Sequence, residues 1–166
     1  MSIPEALGHA DCETRRAVLL RLCLRPAAVV PTMSPVPCLV RRDEIRRRIV
    51  VRATGVLTLS EILRVIHTAR ATVAHQMWPM VFDARSATTE MTEKDVERAV
   101  EAVRDASARG PRGHVSLVAD DDTLYARMLP YEARCADIGV RVIRAFRQLP
   151  DAERWLEIVS AARHFG

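Results

Sequence analysis

Apolar and polar positions change period several times along this chain, and the changes mark its elements. The stretches "CLVRR" and "RRRIVVRATG" are short, rich in branched side chains and partly alternating, which predicts two strands. The "DEIR" between them predicts a hairpin turn with acidic residues at its tip, and Gly55 is expected to close the second strand. From Thr58 the period lengthens. Ile62, Val65, Ile66, Ala69 and Val73 recur at helical spacing. Thr58-Leu59-Ser60-Glu61 fits a capping box, in which the hydroxyl accepts from a free backbone N–H and the glutamate reaches back. Trp78–Phe82 predicts a short buried strand, followed by a polar loop, Asp83–Met91.

Val96, Val100 and Val103 then line one face of a second helix, "TEKDVERAVEAVRDASARG". Its acids lead, Arg104 and Arg109 come late, and Gly110 ends it, an order that complements the helix dipole. "HVSLVA" predicts a strand. "DDDTLYARMLPYEARCADIG" predicts a helix opened by aspartates and ended by Gly139, with a kink or break near Pro130. "VRVIRAF" predicts the last strand, and "LPDAERWLEIVSAARHF" a closing helix with Pro150 in its first turn.

The order ββαβαβαβα predicts an α/β domain: a mostly parallel sheet with an initial antiparallel pair and helices packed over it. This domain is expected to occupy 36–166. Pro31, Pro35 and Pro37 mark a break before it, leaving 1–35 as a weakly ordered or helical extension. Translation is read as starting at either Met1 or Met33.

Composition narrows the function classes. No apolar run approaches the roughly 18–20 residues of a membrane span, which excludes an integral membrane protein. Of the 25 basic and 21 acidic residues, 9 and 5 lie up to Arg48, leaving 16 of each from Ile49 onward. The charge excess therefore sits in the N-terminal segment, and the domain lacks the concentrated basic face that nucleic acid requires. Arg15, Arg16, Arg21 and Arg25, on a short amphipathic stretch, are candidates for weak contact with an anionic surface. Cys12, Cys23, Cys38 and Cys135 show no paired spacing and no histidine at ligand distance, so the reading is a reduced, cytoplasmic protein without metal or cofactor.

Catalytic patterns are absent too. His67, His75 and His114 have no evident nucleophile and supporting acid. An acidic phosphoacceptor pocket needs an acidic pair after the first strand and a lysine after the last. The corresponding stretches read "RATG" and "AFRQ", and the only lysine is Lys94.

Several stretches together, "VVRATGVLTLSEIL", "MVFDARSAT", "HVSLVADD", "YARMLPYEA" and "VIRAFRQLPDAERWL", resemble the STAS superfamily, the anti-sigma-factor-antagonist fold. They are most similar to its bacterial STAS-like or SpoIIAA-like branch, over about Val36 to Leu156. The resemblance implies a small non-enzymatic domain that docks partner proteins. In antagonists proper, a kinase phosphorylates a Ser or Thr in an Asp-Ser-Ser/Thr-Gly-Leu/Val motif after the third strand. The matching positions here read Met91-Thr92-Glu93-Lys94-Asp95: the glycine is missing, a glutamate stands at the acceptor position, and Thr92 is one position early. The same branch is compared with Sec14-like lipid-binding domains, which implies an alternative small-ligand or lipid-head-group role.

The candidate partner- or ligand-binding residues are Asp83, Arg85, Ser86, Thr88, Thr92, Glu93 and Asp120. Asp83 and Asp120 end strands, where ligands of such sheets bind. Thr92 reads either as a phosphoacceptor or as a helix cap backed by Asp95, and Glu93 as a built-in negative charge or an ordinary first-turn acid. Arg144 and Arg147 lie near strand ends. Met128, Tyr131 and Trp155 are expected to fill gaps beneath helices. An apolar pocket would favour the ligand reading; a filled interior would favour protein docking.

Overall fold

The computed structural model describes residues 38–72 and 77–162. The N-terminal extension, with Arg15, Arg16, Arg21, Arg25 and Met33, lies outside them, as do Val73 and His75. Five strands form one sheet in sequential order: β1 (Cys38–Asp43), β2 (Arg48–Leu57), β3 (Met80–Thr89), β4 (Val115–Val118) and β5 (Ile143–Phe146). β1 and β2 are antiparallel, and every later pair is parallel. The helices are α1 (Leu59–Thr72), α2 (Glu93–Ala108), α3 (Asp122–Asp137) and α4 (Leu149–Ala162). The architecture is thus the α/β order ββαβαβαβα that the sequence pattern predicts.

Topology assigns the layers. Right-handed crossovers between successive parallel strands put their helices on one face, and α1, α2 and α3 pack side by side there. α4, after β5, lies over the other face, against β3, β4 and β5. Strand alternation feeds both layers. Ile49, Val51, Met80, Phe82, Leu117 and Ile143 join the core beneath α1–α3. Val81 and Val118 point the other way and are buried, with Ala152 and Leu156 of α4. Trp155 of α4 fills that layer, edge-on to His114 and tilted against Phe146.

Local chemistry sets the helix ends. The Asp121 carboxylate accepts the Leu124 N–H at 2.7 Å, so this aspartate caps α3 and its neighbours do not. At the other end Gly139 has φ of +85°, its N–H donates to the Ala136 carbonyl, and the Val140 N–H donates to that of Cys135, a Schellman close that favours glycine. α3 continues as one helix through Pro130, without the break that is one of the two outcomes expected there. Two expectations need correction. Glu61 does not reach back to Thr58; its carboxylate is held by Arg64, at 2.6 Å from Nη2 and 3.0 Å from Nε. Gly55, at φ of +70°, lies inside β2 rather than at its end.

The largest correction concerns Asp83–Met91. The expected loop is mostly strand: β3 runs to Thr89, paired with β2 through Leu57. The register passes from Arg52↔Asp83 to Thr54↔Ser86, so Ala84 and Arg85 oppose Ala53 alone, a β-bulge. β4 stops opposite Asp83, leaving β2 and β3 to continue beyond it as a two-stranded ribbon.

Candidate functional site

The bulge places the first candidates. Asp83 is buried in the last row that runs across all five strands, and Arg85 closes on it with two parallel hydrogen bonds, Nε to Oδ1 at 2.9 Å and Nη2 to Oδ2 at 3.0 Å. This bidentate contact, with Arg52 nearby, holds the Asp83 carboxyl below the usual carboxylate range and raises the Arg85 guanidinium. Asp120 is exposed and adds to the field on Arg85, while its carbonyl accepts from Arg147 Nη1 at 3.0 Å. Arg147 also meets Asp122 at 2.7 Å and lies 4.0 Å over the Tyr125 ring, so it ties the end of β5 to the start of α3. Asp83, Arg85 and Asp120 thus gather at one end of the sheet, with their charges largely matched internally.

Ser86 and Thr88 stand exposed on the ribbon, opposite Thr54 and Val56 of β2. Ala87 and Thr89 are buried on its other side. Thr92 and Glu93 belong to the start of α2. The Thr92 hydroxyl accepts the Asp95 N–H at 3.3 Å, and Asp95 Oδ2 accepts both the Thr92 N–H at 2.9 Å and its hydroxyl at 2.7 Å. That reciprocal box is the cap reading realised, and it draws the Asp95 carboxyl below its ordinary value. Glu93 is hydrogen-bonded to Arg134 of α3, so its charge is matched within the domain.

A second site lies beneath α2, and the sequence pattern did not single it out. α2 packs on α1 and α3, and its Val100, Val103 and Ala106 join the core above the sheet. Its buried face consists of Val96, Ala99, Val100, Val103 and Ala106, none larger than valine. These short side chains do not fill the space between helix and sheet, and a cavity of about 80 Å³, partly open to solvent, remains. Phe82 and Leu117 form part of its floor, Val96 and Ala99 part of its roof, and Met91 and Met128 part of its wall. Arg112, Arg127 and Tyr131 are the polar side chains of an otherwise apolar lining. Burial pushes the Tyr131 phenol and the neighbouring Cys135 thiol up, the latter to about 11, so neither ionises near neutrality. The signals available in the sequence were the Val/Ala-only face of α2 and the methionines facing it.

Among the described residues no group of His, Cys, Asp and Glu could hold a metal ion, and no helix is long and apolar enough to cross a membrane. His67 is exposed on α1, and His114 serves Trp155. Comparison with protein-family models, curated proteins and solved structures finds no match.

Proposed function

We propose that this chain is a non-enzymatic, cytoplasmic binding domain whose ligand is a small, largely apolar molecule held beneath α2. The cavity carries the reading. Its volume is about five times what a single water needs, yet its walls offer water few partners. Methionine side chains adapt to irregular ligands, and Met91 and Met128 are suited to that part. Arg112, Arg127 and Tyr131 supply the few polar contacts that orient a ligand in an apolar pocket; they favour a molecule with one acceptor or anionic end. Mass measurement of the full chain under native and denaturing conditions tests this directly. A small molecule released on denaturation supports the reading, and identical masses count against it.

A second reading, a STAS-like protein-interaction module of regulatory type, is favoured by the ribbon. Ser86, Thr88, Thr54 and Val56 present an exposed strip beside the Asp83–Arg85 pair. The sealed cap at Thr92 and the pairing of Glu93 argue for docking without a phosphorylation switch. Pull-downs with Ser86→Arg and Thr88→Arg variants test it; a specific partner retained equally by both would sink it.

A further inference from the structure

The charge excess assigned to the N-terminal segment is in part a property of the folded domain. Arg41, Arg42, Arg46, Arg47 and Arg48, five of the nine basic residues up to Arg48, belong to the β1–β2 hairpin, against Asp43 and Glu44. Its turn, Glu44–Arg47, carries Ile45 at the apex, 97% exposed. The acids are spoken for. Asp43 accepts the Arg46 N–H at 3.0 Å and Arg48 Nε at 3.3 Å, Glu44 pairs with Arg42 at 3.1 Å, and Glu153 of α4 pairs with Arg48 at 2.8 Å and with Arg46 at 3.4 Å, which leaves Arg41 and Arg47 as the hairpin arginines outside these pairs. Arg47 sits at φ of +48°, in the left-handed region where glycine is the low-energy choice, so its charge is carried at a conformational cost.

The neighbouring loops extend this pole. Backbone bonds run from Ile49 to Pro79, from Met80 to His114 and from Val115 to Val142, placing the three helix-to-strand connections beside the hairpin in series. They bring Arg109, Arg112 and Arg141, and a half-exposed Met77. The opposite end of the sheet carries Glu90, Asp120 and Asp121 in its loops and Glu93 and Asp122 at its helix starts, where Arg134 pairs with Glu93 and Arg147 with Asp122.

We propose that the basic pole docks on an anionic lipid bilayer, with Ile45 entering the head-group region and Arg41, Arg42, Arg46 and Arg47 around it. Charge alone would suit any polyanion. A nucleic acid, however, rewards stacking aromatics, and the hairpin presents none. A protein partner would need a socket shaped to a single protruding isoleucine. A bilayer interface accepts a convex apolar tip without one, while arginine stems bury against it and keep their charges at the head groups. The inference does not depend on the cavity, since none of Arg41, Arg42, Ile45, Arg46 and Arg47 lines it.

Flotation of the full chain with phosphatidylcholine vesicles, with and without phosphatidylglycerol, provides the test. Binding is expected only to the anionic vesicles and should weaken with salt. Removing charge in Arg46→Gln and Arg47→Gly should each weaken it by about fivefold. Arg47→Gly also relieves the left-handed residue and so leaves the fold intact. Ile45→Ser, which changes no charge, should weaken it several-fold. Variants that float like the parent would overturn the proposal by placing any binding elsewhere in the chain. Heparin competing as well against Ile45→Ser as against the parent, with vesicle binding unchanged by that substitution, would identify a general polyanion site instead.

Discussion

Asp83 and Arg85, two residues apart on β3, face each other across a β-bulge in a bidentate contact of 2.9 and 3.0 Å. The acid is buried, and the arginine side chain is 40% exposed. Arg85→Ala would strip a buried carboxylate of its main partner. Because the arginine is partly solvated, the cost should be about 1–2 kcal/mol, below the range for fully buried pairs. Urea titration of the two proteins measures it.

The same contact fixes a pH dependence. The folded state holds the Asp83 carboxyl below its unfolded value of about 3.9, so the unfolded chain takes up the proton more readily. The stabilisation is complete above that unfolded value and is lost as pH falls through the folded one. Asp43 and Asp95 are shifted in the same direction and add to the same acid limb. Denaturation midpoints followed from pH 6 downward should fall below about pH 4, and less steeply in Asp83→Asn than in the parent.

The cap at Thr92 makes a separate prediction. Thr92→Ala should cost about 1 kcal/mol and Thr92→Ser close to nothing, since serine keeps the accepting oxygen. Chemical denaturation of both variants is the check. An alanine variant as stable as the parent would remove the cap from the account.

Much of this was legible in the chain for local reasons. Thr92 and Asp95 are three residues apart, and a capping box needs nothing from the rest of the fold. The strand and helix order follows from period changes that each element carries within itself. The second half of β3 was hidden because its bulge breaks the alternation at Ala84 and Arg85, and period-two reading fails across such a step. The cavity was hidden for another reason. The Val/Ala face of α2 is visible in sequence, but a void depends on volumes contributed by three helices and the sheet. The Glu93–Arg134 pair, 41 residues apart, is equally invisible to spacing.

Gly113 shows a constraint of close approach. A Cβ placed there would stand 2.0 Å from the Trp78 carbonyl oxygen and 2.6 Å from its carbon, both backbone atoms that cannot swing aside. Gly113→Ala should therefore destabilise by about 3 kcal/mol, the upper end of overpacking costs. A melting curve reads it; a variant melting with the parent would mean that the approach of these two segments is looser than described.

The cavity beneath α2 is the central claim, and Ala99→Leu tests it most directly, because its sign is at stake. Ala99 is 1% exposed and forms part of the roof. If the space is empty and serves a ligand, the larger side chain enters it, raises stability of the ligand-free protein by about 1 kcal/mol, and abolishes the small molecule retained by the parent in native mass spectra. If the interior is filled, the same substitution overpacks it, lowers stability by about 1–3 kcal/mol, and leaves the spectra of both proteins free of any retained mass.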